Sequence, residues 1–178
     1  TGELVEGGLN DANPRVRTMA AQYLGTVPTA QRPDYVGLSL LDQSIGVRIF
    51  AVQQLAREAR DQVVCRRLLA VATRDGSHAV RVLALDALAE PCPNQDAQKD
   101  ALLGTASSLG PETRVNWQVG AHALISLATL APEFASRLVP IYVAHSNPFV
   151  RAYGARAASI LGLTDMVLGL ASDPEANV

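Results

Sequence analysis

Aromatic residues are scarce in this chain, at 4% of 178 residues, although hydrophobic residues make up 48%. Burial therefore falls to Ala, Leu and Val, which suits helices packed close together better than one large central core. Lysine is almost missing: 14 of the 15 basic residues are Arg, set against 17 acidic ones for a net charge of −2. Such a balance gives no general pull toward nucleic acid or an anionic membrane. No apolar run approaches the roughly 20 residues that span a bilayer, and no charged-then-apolar leader opens the sequence. Cys65 and Cys92 read as two isolated thiols, too few for a disulfide framework or a zinc knuckle, with Cys65 taken as a packing residue inside an apolar helix. Sustained alternation and hairpin turns are missing too, so no strand is expected.

What is present is repetition. Residues 11–25 read DANPRVRTMAAQYLG, 42–56 read DQSIGVRIFAVQQLA, and 75–89 read DGSHAVRVLALDALA. From His145 the chain gives HSNPFVRAYGARAASILG, and Asp173 begins another copy. Counted on Val16, Val47, Val80, Val115 and Val150, the spacings are 31, 33, 35 and 35. A period in that range marks stacked units that cannot bury their apolar faces alone. Each unit reads as two helices around a polar turn. In the first, Pro14 opens the second helix and Gly25 is expected to cap its end. The expected fold is all-α, an α-solenoid of about five repeats plus a partial sixth. A single array over 1–178 divides into units at 1–27, 31–59, 60–91, 94–130 and 132–162, with a partial unit at 164–178. The chain is expected to be a piece of something longer.

The pattern of an Asp, four residues, then Val-Arg and small residues resembles the HEAT-repeat family, in the short form also seen in phycobilisome lyases. Asp11 with Arg17, Asp42 with Arg48, and Asp75 with Arg81 fit it, whereas Arg151 follows His145 where Asp would stand. A turn Asp accepts from backbone N–H groups at the start of the next helix. An Arg shielded between stacked units needs an anionic or carbonyl partner, and the Asp of an adjacent turn is within reach. The resemblance implies a ladder of such contacts through Asp11, Arg17, Asp42, Arg48, Asp75, Arg81 and Arg151, all of them scaffold rather than catalytic. Ala20, Ala51, Ala84, Gly120 and Gly154 are expected to hold helices close. The fourth unit departs from the pattern: Asn116 stands at the Arg position when Val115 sets the register, and Gly120 would align with Gly154 after a slip of one.

Chemistry is sparse. His78, His122 and His145 lie in different units, without the His-Glu pairs that HEAT-like deoxyhypusine hydroxylases use for iron. No metal or other cofactor is expected. Arg60, Arg67 and Arg74 form a stripe on one helix that could meet phosphates, as in HEAT-like DNA glycosylases. Interleaved Glu58, Asp61 and Asp75 favour a solvated outer stripe instead. Residues two and six after each repeat valine define the opposite strip: Thr18, Gln22, Ile49, Gln53, Val82, Asp86, Trp117, Ala121, Ala152 and Arg156, with His122 replacing Ala121 if the register slips. Trp117 is a candidate anchor or a residue buried between units.

The leading expectation is a non-enzymatic scaffold that binds a protein or peptide on its concave second-helix face. Alternatives are a segment of a larger enzyme or a bilin-lyase-like protein, and a nucleic-acid-binding module. Weak self-association through uncapped ends is expected, and the default location is cytoplasmic.

Overall fold

The computed structural model describes residues 2–109, 116–175 and 178. Among these the chain is all-helical, with no strand. The helices are α1 (Gly2–Leu9), α2 (Pro14–Ala21), α3 (Arg32–Ser39), α4 (Ile45–Arg57), α5 (Gln62–Arg74), α6 (His78–Ala87), α7 (Gln95–Ser107), α8 (Trp117–Leu130), α9 (Pro132–Val143), α10 (Pro148–Ile160) and α11 (Thr164–Leu170). None is long and apolar enough to cross a membrane. Helices α1, α3, α5, α7 and α9 each pack on the even helix that follows, and α11 packs back on α10. The even helices also pack in file, α2 on α4, α4 on α6, α6 on α8 and α8 on α10. On the other side α5 packs on α7 and α7 on α9.

Local chemistry sets the helix starts. Asp11, Asp42, Asp75 and Asp173 each accept the backbone N–H two residues on, at 2.7–2.9 Å. These turns place Asn13, Ser44 and Ser77 as N-caps in extended backbone. His145 does the same work: its Nδ1 accepts the Asn147 N–H at 2.9 Å, and the residue is buried.

The arginines then tie one turn to the next in a repeated geometry. Arg17 Nη1 donates to the Asp11 and Ala12 carbonyls of its own turn, while Nε and Nη2 grip both carboxylate oxygens of Asp42 at 2.8 and 3.1 Å. Arg48 repeats this with the Asp42 and Gln43 carbonyls and the Asp75 carboxylate. Arg151 repeats it with the His145 and Ser146 carbonyls and Asp173. Two parallel charge-assisted bonds fix angle as well as distance, so each such rung sets the register of neighbouring turns. Burial disfavours the charged form of Asp42, but the Arg17 bonds and the Ser44 N–H outweigh it and hold the carboxyl below the ordinary range. Asp173 is lowered by its Arg151 bonds and the Glu175 N–H.

Arg81 breaks the series. Its Nε donates to the Ala72 carbonyl at 2.8 Å, and it has no acidic partner among the described residues. The fourth pair departs from the series as well. Along α6 and its C-cap the buried residues are Val80, Ala84, Leu85, Ala87 and Leu88, and in α8 Val119, Ala123, Leu124, Ser126 and Leu127 fall at the same intervals. Val119 thus holds the core position; Val115 lies outside the described residues. Gly120 consequently stands where the other units have Arg, and Asn116 is the helix N-cap, in left-handed backbone at φ 67°.

A Cβ on Gly120 would sit 3.1 Å from the Tyr142 hydroxyl, which donates to the Ala106 carbonyl at 2.7 Å. A buried phenol, its pKa pushed up by burial, therefore ties α9 to α7 beside the missing rung. Gly154 meets a tighter limit, since a Cβ there would lie 2.9 Å from the Val143 backbone nitrogen.

Two expectations are corrected. Cys65 and Cys92 are joined in a disulfide across 27 positions, with Cα atoms 6.0 Å apart. Both are buried, Cys65 on α5 and Cys92 in the loop after α6, whose backbone is held by the buried Gln98 amide through Cys92 N–H and the Leu88 and Glu90 carbonyls. The fold brings the two thiols together, which spacing alone does not reveal. Gly25 does not cap α2, which stops at Ala21 and passes into a 3-10 turn, Leu24–Thr26. Gly25 instead admits the side chain of Gln54, whose Oε1 lies 2.9 Å from where a Cβ would be.

Arg48→Ala should lower stability by about 2–4 kcal/mol, because it strands a nearly buried Asp75 carboxylate. Arg81→Ala should cost about 1 kcal/mol, the worth of one carbonyl bond; urea unfolding that gives equal losses would remove the distinction between the two sites. The stability supplied by Asp42 and Asp173 is complete above the unfolded carboxylate value near pH ~4 and is lost as pH falls through their lower folded values. Asp42→Asn should accordingly show a shallower stability loss than wild type between about pH 5 and pH 2. Identical acid limbs in chemical denaturation would show that the rung does not couple folding to pH.

Candidate partner-binding site

Three even helices meet in one polar and aromatic cluster. Asp86 leaves the C-terminal part of α6, Trp117 and His122 lie on the first turns of α8, and Phe149 and Tyr153 on those of α10. His122 Nδ1 is 2.6 Å from Asp86 Oδ1, and its Nε2 is 2.8 Å from the Tyr153 hydroxyl. The imidazole thus links a carboxylate on one helix to a phenol two helices away. Trp117 stacks on Phe149, with centroids 5.7 Å apart and planes 6° from parallel. It also meets the edge of Tyr153 at 5.7 Å.

These side chains share one patch because α8 lies between α6 and α10. With Val119 as the core position, His122 and Tyr153 are each three residues beyond their helix's buried valine, so they lie side by side in adjacent helices. The patch is amphipathic. Phe149 is 59% exposed, the Asp86 side chain is 47% exposed, and Trp117, Tyr153 and His122 are partly covered. Aromatic rings locked by stacking and hydrogen bonds lose little freedom on binding, which is what an anchor requires.

The remaining strip residues fall unevenly. Ile49, Gln53 and Val82 are partly exposed, and Gln22 and Arg156 are exposed. Thr18 turns toward α4, with its hydroxyl 2.8 Å from the Pro14 carbonyl and 3.3 Å from Ser44 Oγ. Ala121 is fully buried, and His122 takes the surface position beside it. Tyr153 escaped the sequence reading because that strip was sampled two and six residues past each valine, not three, and Phe149 because it stands one residue before Val150. A legible signal existed: VRVLALDAL at 80–88 and VGAHALISL at 119–127 share one apolar pattern, and aligning them pairs His122 with Leu83 and thus with Tyr153.

The basic stripe resolves differently. Arg60 is spent on backbone carbonyls of Leu55, Ala56, Glu58 and Ala87. Arg67 donates to the Pro33 carbonyl at 2.7 Å. Arg67 thus joins α5 to α3, away from the even-helix face, while Arg60, ahead of α5, closes on the C-terminal ends of α4 and α6. Among the described residues no group of three or more His, Cys, Asp or Glu side chains is placed to hold a metal ion. The chain matches no family model and no curated protein.

Trp117→Ala should cost about 2–4 kcal/mol, since it removes a ring packed between two others. Phe149→Ala, at an exposed ring, should cost less than about 1 kcal/mol. Thermal melts that rank the two in the opposite order would show that Phe149, not Trp117, holds α8 to α10.

Proposed function

We propose that this chain is an α-solenoid of HEAT-like helix pairs, about five with a partial sixth, that acts as a non-enzymatic scaffold for a protein or peptide partner. The reading of a repeat array draws support from the recurring Asp turns and bidentate Arg rungs, and from even helices that pack in file. Apolar side chains left open at both ends fit it as well: Leu4, Val16, Met19 and Tyr23 near one, Ile160 and Leu168 near the other. Such ends can be covered by further helix pairs or by weak self-association.

One observation carries the binding role: the half-exposed Trp117–Phe149–Tyr153 cluster, held rigid by the Asp86–His122–Tyr153 bonds. A rigid aromatic patch beside an exposed carboxylate is the composition of an interface centre, and it sits on the even-helix face. Nucleic-acid binding is disfavoured, because that face presents Asp86 and Arg156 rather than a run of cations. The buried Cys65–Cys92 bond favours an oxidising compartment over the cytoplasm, where such bonds are rare.

The test is site-specific photocrosslinking in the protein's native cells, with a benzophenone amino acid at position 149 and, on the opposite side, at position 66. A partner crosslinked from 149 but not from 66, and released at least about tenfold faster by purified Trp117→Phe/Phe149→Ala protein, is the expected result. Equal crosslinking from both positions, or release unchanged by the double variant, would place binding elsewhere.

A further inference from the structure

The odd-helix side of the molecule has a gap. α3 spans eight residues against thirteen in α5 and α7. While α5 packs on α7 and α7 on α9, α3 and α5 do not pack this closely. The opening between them is a cleft of about 720 Å³, within the size range of small-molecule sites. Leu40, Ala70 and Val71 line it, and Leu41, 82% exposed, stands among the lining residues.

Charge in the cleft is one-sided once the rungs are counted. Asp42 and Asp75 reach its turn end, but each carboxylate is held by both nitrogens of an Arg fork, from Arg17 and Arg48. Arg67 spans the gap to the Pro33 carbonyl through Nη1, and its Nη2 lies against Gly37, where any Cβ would be only 3.0 Å away. Arg74 lines the same cleft and has no hydrogen bond or ion pair among the described residues. An exposed guanidinium over an apolar surface, with neighbouring carboxylates already neutralised, selects a ligand with an apolar body and an anionic head.

We infer that the α3–α5 cleft binds a small amphiphilic carboxylate, with its chain over Leu40, Ala70 and Val71 and its head on Arg74. The site is independent of the aromatic patch, which lies on the even helices. Recognition needs both parts: the guanidinium gives a fork for the carboxylate, and the leucines and valine take the chain out of water.

The experiment titrates ¹⁵N-labelled protein with decanoate and, separately, with decanol, following the amides of Gly37 and Gly76 at the cleft. Decanoate should shift both amides saturably, and decanol should bind at least about tenfold more weakly, one charge-assisted contact apart. Arg74→Gln, an exposed substitution, should weaken decanoate about tenfold and leave decanol unchanged. The inference is overturned if decanoate fails to shift Gly37 and Gly76 saturably, if decanol binds as tightly, or if Arg74→Gln binds decanoate like wild type.

Discussion

Everything in this chain hangs on a planar cation held between two successive turns. In each complete rung one guanidinium nitrogen satisfies carbonyls of its own turn, and the other two hold the next turn's carboxylate at 2.7–3.1 Å. Lysine could not serve there, having neither the fork nor donors in fixed directions, which gives physical meaning to a composition of 14 Arg and one Lys. The same carboxylate also caps its local backbone, so one side chain orders the helix start and the contact to its neighbour together. Helix packing through Val, Ala and Leu supplies burial, but it is the rung that fixes the register of that packing.

The molecule is most informative where this device stops. Gly120 occupies the Arg position of the fourth pair, Tyr142 fills the space so opened, and His145 replaces the turn Asp while still accepting its N–H. His145 thus caps the start of its turn without a carboxylate. Around the same junction Trp117, His122, Phe149 and Tyr153 come together on the even-helix face. Departure from a repeat's own rules is where function is expected to override packing.

Much of this was readable from residues alone. The spacing from Asp to Arg is local and repeats, so turns, helix order and class of fold follow from it. The fourth unit was misread because Val115 follows an Arg as the repeat valine precedes one, while the apolar pattern that decides burial starts at Val119. Phe149 and Tyr153 were missed for a different reason: Val150 is the right origin, but the positions two and six beyond it sample a rotation around the helix that leaves both out. The Cys65–Cys92 bond was illegible in principle, since pairing depends on how α5 approaches the loop after α6 and not on either residue's surroundings in sequence. Arg60 illustrates the converse. It looked like part of a solvent stripe, yet four backbone carbonyls claim it.

Substituting a phenol for an ion pair at the α7–α9 contact has a mechanical corollary. Dissolved electrolyte weakens the attraction between opposite charges but leaves a neutral hydroxyl–carbonyl bond nearly untouched. The rungs at Asp42, Asp75 and Asp173 are shielded enough to feel only part of that screening, and the joint bearing Tyr142 feels none of it. Salt therefore acts on this molecule less at its rungs than at the open Asp86 carboxylate beside the aromatic rings.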